Sequence, residues 1–129
     1  MPFKLTTPGA ILFARIYGVL TAPELNHLAD EAEIAEASHS ISLDRITDLT
    51  AVERFEVGFR EIYYFAIRRS VQRFSRLVKS AIVVRDPVQY GMARIYEELN
   101  ENPQIDVRVL RSAREATEWF MERQEPPHD

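Results

Sequence analysis

The sequence contains no cysteine, which excludes a disulfide framework, thiol catalysis and Cys-ligated zinc or iron–sulfur sites. Glycine is scarce, with four in the whole chain, and the four are scattered, so no glycine-rich loop is present to cradle a phosphate. In "RDPVQYGMAR" the single Gly91 follows a proline that lacks an amide and falls inside a helical pattern. It reads as a point of close helix–sheet or helix–helix approach. Histidine is equally sparse: His27, His39 and His128 share no metal-ligand spacing. No apolar run reaches the length of a membrane span. The opening "MPFKLTTPGAILFARIYG" has a Pro-Gly turn and an apolar run broken by Arg15, which does not fit a secretory leader. A cytoplasmic location, with the option of peripheral membrane attachment, is the expectation. There is no G-x-S-x-G elbow. Asp44 and Asp48 lie four apart with Arg45 between them, a spacing that suits solvated or ion-paired carboxylates more than an acid–base pair. No catalytic residue, metal ligand or cofactor is assigned, and a non-enzymatic role is expected.

The chain does have enough material for a core. Its 129 residues, 46% of them hydrophobic and 28% charged, suit one domain over 1–129 with a frayed tail at 124–129. The net charge of −4 hides a segregation. Residues 1–59 carry −5, residues 60–94 carry +6 and residues 95–129 carry −5. Blocks of opposite sign either fold against each other and cancel, or leave a basic surface on an acidic protein.

Four capping-box patterns punctuate the chain: Thr21 with Glu24, Thr50 with Glu53, Asp86 with Gln89 and Ser112 with Glu115. Each precedes a 3.6-residue periodicity. Behind Thr21 the stripe is Leu25, Leu28, Ala29, Ala32 and Ala35. Behind Thr50 a long helix is expected, with Phe55, Phe59, Ile62, Tyr63, Ala66, Ile67 and Phe74 on its apolar face. Behind Asp86, Val88, Met92, Ile95, Tyr96 and Leu99 share a face, and Asn102 and Pro103 stop the helix. Behind Ser112, Ala116, Trp119 and Phe120 form a compact anchor. Strand-like segments precede the caps. "ILFARIYG" and "AIVV" are apolar on both parities, "IDVRVL" alternates, "ISLDRITDL" is more polar, and "FKLT" is a hairpin partner across Thr7, Pro8 and Gly9. The order ββαβαβαβα predicts an α/β fold with a mostly parallel, mixed five-stranded sheet and four helices.

That order, together with "VKSAIVVRDPVQYGMARIYEELNENPQIDVRVLRSAREATEWF" and "GVLTAPEL", resembles the SpoIIAA-like family. Its members are distant relatives of the STAS domains of anti-sigma-factor antagonists and anion transporters. The resemblance implies a STAS-like binding or regulatory module that acts by protein–protein association. It also implies a phosphorylatable serine at the start of the helix after the third strand. Here that region reads "DLTAVERFEVGF", without serine, so the switch does not carry over; Thr50 is the nearest hydroxyl. The family is further compared with CRAL-TRIO lipid-transfer domains, which implies nonpolar ligands or membrane contact.

The residues themselves offer two candidate surfaces. "REIYYFAIRRSVQRFSRLVK" carries Arg60, Arg68, Arg69, Arg73, Arg76 and Lys79 among Tyr63, Tyr64 and Phe65. A basic, aromatic helix of this kind receives an acidic partner or lies on an anionic membrane, or it simply folds against the acidic blocks. Its partner or ligand surface is Arg60, Tyr63, Tyr64, Arg68, Arg69, Arg73 and Arg76. Nucleic acid is disfavoured by the overall acidity and the lack of a recognisable module. The second candidate is an apolar cleft between the two central helices, lined by Phe55, Phe59, Ile62, Ala66, Met92, Ile95 and Tyr96. Two functions follow: association with a protein partner or a second copy of the chain, or carriage of a nonpolar, lipid-like ligand.

Overall fold

A computed structural model describes residues 3–122; the expected frayed tail and His128 lie outside the described residues. The order of elements is β1 (Phe3–Thr6), β2 (Ile11–Thr21), α1 (Ala22–Ala37), β3 (Asp44–Glu56), α2 (Phe59–Ser70), β4 (Val78–Val83), α3 (Pro87–Leu99), β5 (Ile105–Leu110) and α4 (Ala113–Met121). The strands form one sheet in the order β1-β2-β3-β4-β5. Only β1 with β2 is antiparallel; the other pairs are parallel. The fold is thus α/β with a mixed five-stranded sheet and four helices, as the alternation of patterns predicts.

Topology dictates where the helices go. From β2 to β5 each crossover steps to the next strand in the same direction. Right-handed crossovers of that kind place α1, α2 and α3 on one face. The other face is left to α4, which packs on β3, β4 and β5. The core splits accordingly. On the three-helix face, Ala14, Ile16, Leu49 and Ile82 meet Leu25, Leu28, Ile62, Ala66, Ala93 and Tyr96. On the opposite face, Ile46, Ala81 and Val83 meet Ala116 and Trp119.

Several expectations are corrected. No helix begins at Thr50. Its amide and hydroxyl both donate to Asp48 Oδ1, at 2.9 and 2.6 Å, while the Val- and Phe-bearing stretch continues β3 to Glu56. The helix starts at Phe59 and its cap is Gly58, whose amide donates to Glu61 Oε2 at 3.0 Å. Phe55 therefore lies on a strand and Phe74 in the connection after α2. The apolar stripe of α2 is also rotated from the expected one. Ile62, Ala66 and Arg69 are buried, whereas Phe59 is 61% exposed and Tyr63 and Ile67 are also exposed. Val88 on α3 is 65% exposed. Thr21 caps α1 without a side-chain hydrogen bond. Gly91 makes no close approach: it is exposed, and a methyl group placed on it would meet nothing within 4 Å. Strand β2, whose apolar residues on both parities suggest burial on both faces, is covered unevenly: Leu12, Ala14 and Ile16 are buried, Ile11 and Phe13 are half-buried and Arg15 is exposed. Glycine is needed instead at Gly9 in the hairpin and at Gly18 beside a register shift in β2, where φ is +60° and +74°.

The caps at Asp86 and Ser112 form as expected, their side chains accepting from the Gln89 and Glu115 amides at 2.9 and 3.1 Å. Gln89 does not close a box with Asp86. Its Oε1 accepts from the Arg85 amide at 2.7 Å and its Nε2 donates to the Val52 carbonyl at 3.0 Å, tying α3 to β3.

Candidate ligand site

The structure divides the residues of the candidate basic surface. Arg60, Tyr63 and Tyr64 are exposed on α2, and Arg73 is exposed in the connection that follows. Arg68 instead donates to Glu33 at 2.8 and 2.5 Å and to Asp30 at 2.6 Å, joining α2 to α1. This cluster holds the Glu33 carboxyl below its ordinary value, chiefly through the hydrogen bond from Arg68, and holds the Arg68 guanidinium above its own. Arg76 pairs with Asp44 at 3.0 Å. Lys79 belongs to β4 and reaches the Trp119 and Glu122 carbonyls at the end of α4, at 2.7 and 3.1 Å. The acidic blocks and the basic block thus fold largely against each other.

A cavity of about 90 Å³ lies between the sheet and α1, α2 and α3. Its floor is the sheet face formed by Ala14, Ile16, Leu49 and Ile82. Leu25 and Leu28 of α1 form one wall, Ile62 and Phe65 of α2 another, and Met92, Ala93 and Tyr96 of α3 the third. Period-2 alternation points Thr47 and Leu49 of β3 to the same side as Arg45, and it does the same for Ser80 and Ile82 of β4. Of the seven cleft residues expected from sequence, Phe55, Ile62, Met92 and Tyr96 line this space. Ala66 is buried in the same core and Ile95 is half-buried against it. Phe59 instead stacks on Tyr63 outside, with ring centroids 6.1 Å apart.

One end of the cavity is polar. Arg45, Thr47 and Ser80 line it, and Arg45 and Ser80 are direct neighbours across the β3–β4 ladder. Arg45 is 8% exposed and Arg69, from the last turn of α2, 4%. Arg45 Nη2 donates to Glu36 Oε1, and Arg69 Nη1 lies 3.6 Å from that same oxygen. Arg69 also donates to Gln72 Oε1 at 2.5 Å and lies over the Phe74 ring at 5.5 Å. Two buried guanidinium groups therefore share one carboxylate. The Nε of each has no hydrogen-bond partner among the described residues. Burial pushes the Arg45 guanidinium below its ordinary value, repulsion by Arg69 pushes it further, and Glu36 opposes both. Sequence inspection misses this cluster because Arg45 stands between two aspartates in a polar-looking strand. Its signal is the alternation of Arg45, Thr47 and Leu49, visible only once the strand is phased.

The remaining chemistry is structural. Asp44 accepts from Arg76 and from the Lys79 amide at 2.9 Å. His39 Nδ1 lies 2.9 Å from the Ala35 carbonyl, and His27 lies 3.4 Å from Glu31. Among the described residues there is no group of three or more His, Asp or Glu placed to hold a metal ion. Nor does any described helix have the length and apolarity to cross a membrane.

No protein-family model matches the chain, and no curated protein matches it. Among solved structures it is similar to an uncharacterized protein of the DUF3478 family with a SpoIIAA-like fold from Shewanella loihica PV-4. The TM-score is 0.61 at 14% identity, and the match covers 91% of this chain and 90% of that one. The chain therefore has a SpoIIAA-like fold.

Proposed function

We propose that this chain is a non-enzymatic binding module of the SpoIIAA-like group, located in the cytoplasm, whose bound species is a small nonpolar ligand. The observation that carries the reading is the cavity of about 90 Å³ lined mainly by Leu, Ile, Phe and Met side chains between the sheet and three helices. Well-packed cores leave few voids larger than a water molecule, and an apolar void of about 150 Å³ takes up benzene. The space here suits a short alkyl chain directly, and a larger group if α2 and α3 part. The test is a toluene titration followed through the methyl resonances of Leu28, Leu49 and Ile82. Saturable shifts confined to these methyls, absent in Ala93→Leu, which fills the space, are the expected result. Uniform or unsaturable shifts would refute the reading.

A second reading, association with a protein partner or a second copy, is favoured by a different feature. Phe59, Tyr63 and Ile67 recur four residues apart along the outer side of α2 and are exposed with Tyr64, and such contiguous apolar surface marks association sites. Sedimentation equilibrium and partner capture with Tyr63→Lys and Ile67→Lys variants test it; unchanged association would remove this surface.

A further inference from the structure

The cavity is amphipathic rather than uniformly apolar, and at its polar end a buried donor lacks an acceptor. Arg45 and Arg69 are both buried, Glu36 is the carboxylate they share, and Arg45 Nε has no acceptor among the described residues although Arg45 lines the cavity. A buried donor left without an acceptor is unfavourable, the more so on a charged group. Such groups are retained in proteins paired or bound to an anion. Resting on the reading that the cavity holds a ligand, we infer that its occupant is a small monocarboxylate. The acid group is bound by Arg45 with help from the Thr47 and Ser80 hydroxyls, and the tail lies against Leu49, Ile82 and Met92.

An acceptor is what Arg45 lacks, and with a monocarboxylate present its free Nε–H gains one. A guanidinium presents a planar fork that matches a carboxylate better than it matches a hydroxyl. Thr and Ser hydroxyls supply further donors at the same end. An added anion would also act with Glu36 against the two influences that disfavour the Arg45 charge, its burial and the nearby Arg69.

The experiment compares hexanoate with 1-hexanol, which share a chain and differ in the head, by calorimetry at neutral pH on the unaltered protein. Hexanoate is expected to bind about tenfold more tightly or better, since hydrogen bonds to charged groups exceed those between neutral ones. Arg45→Met, which keeps the length of the side chain without its charge, is expected to abolish that preference while 1-hexanol still binds. Because this variant removes a buried ion pair and can fail to fold, the Arg45 Nε–H resonance of the unaltered protein is followed as well. It is expected to shift with hexanoate and not with 1-hexanol. If 1-hexanol binds as well as hexanoate, or if the preference survives in Arg45→Met, the carboxylate assignment is overturned and the nonpolar-ligand reading stands. If neither compound binds, both fall.

Discussion

Gly91 sits on the exposed side of α3, with ordinary helical backbone and open space where a side chain would be. A glycine there costs conformational entropy and contributes no contact. Gly91→Ala is therefore expected to stabilise the chain by about 0.5–1 kcal/mol, raising the thermal midpoint by a few degrees; a lower midpoint would contradict the outward placement. Asn102 is the opposite case. It is 3% exposed, and its Nδ2 donates to the Arg69 and Gln72 carbonyls at 2.8 and 2.9 Å while its Oδ1 accepts from the Gln104 amide at 2.9 Å. It closes the end of α2 and fixes the turn before β5 together. Replacing it by alanine leaves buried carbonyls unpaired, so Asn102→Ala is expected to cost about 2–3 kcal/mol in urea-induced unfolding. A cost below half a kcal/mol would show that these bonds do not hold the turn. Sequence inspection sees Asn102 only as a helix stop, because its partners lie about thirty residues away.

Elements are joined to one another by charge on one side of the sheet and by an aromatic anchor on the other. The Arg68 contacts with Glu33 and Asp30 link α2 to α1. A carboxyl whose folded value is lowered, as Glu33's is, stabilises the fold at pH above its unfolded value, and that contribution is lost as the pH falls through the folded one. The stability gap between the unaltered chain and Arg68→Ala is thus expected to be constant near neutrality and to close as the pH drops below 4.5. Both side chains are about one-third exposed, so screening keeps the gap under about 1 kcal/mol. A gap independent of pH would assign it to packing of the arginine stem. On the second face α4 is the cover, and Trp119 lies beneath Arg108, 4.5 Å from the ring centroid. Trp119→Ala is expected to cost about 3–5 kcal/mol, measured by the same unfolding transitions. The elements were legible in sequence where a cap and a hydrophobic period agreed, as at Asp86 and Ser112. They were misread at Thr50, where a cap-like triplet falls inside a β-branched strand and local hydrogen bonds to Asp48 imitate a helix start. The two α2 stripes also differ because burial selected Arg69, a residue whose partners are set by tertiary structure alone.

At the scale of the whole molecule, three same-handed crossovers put three helices on one face of the sheet, and it is between those helices and the sheet that the cavity forms. A single helix covers part of the other face, where Ala81, Val83 and Trp119 close tightly. Half of the candidate site could be read from the sequence, since Ile62, Met92 and Tyr96 carry helical apolar periodicity. The polar end could not, because Arg45, Ser80, Glu36 and Arg69 come from four elements and meet only when β3 pairs with β4 and α1 lies beside α2. The segregated charges, which suggest a basic surface in one dimension, become internal pairs in three. The account rests on the cavity being a true ligand space, and the most direct measurement is a crystal structure of the chain pressurised with xenon. Xenon occupies apolar protein cavities and is expected at one position enclosed by Leu28, Leu49, Ile82 and Met92. A refined structure in which those side chains close on one another, with no xenon density between them, would contradict the account.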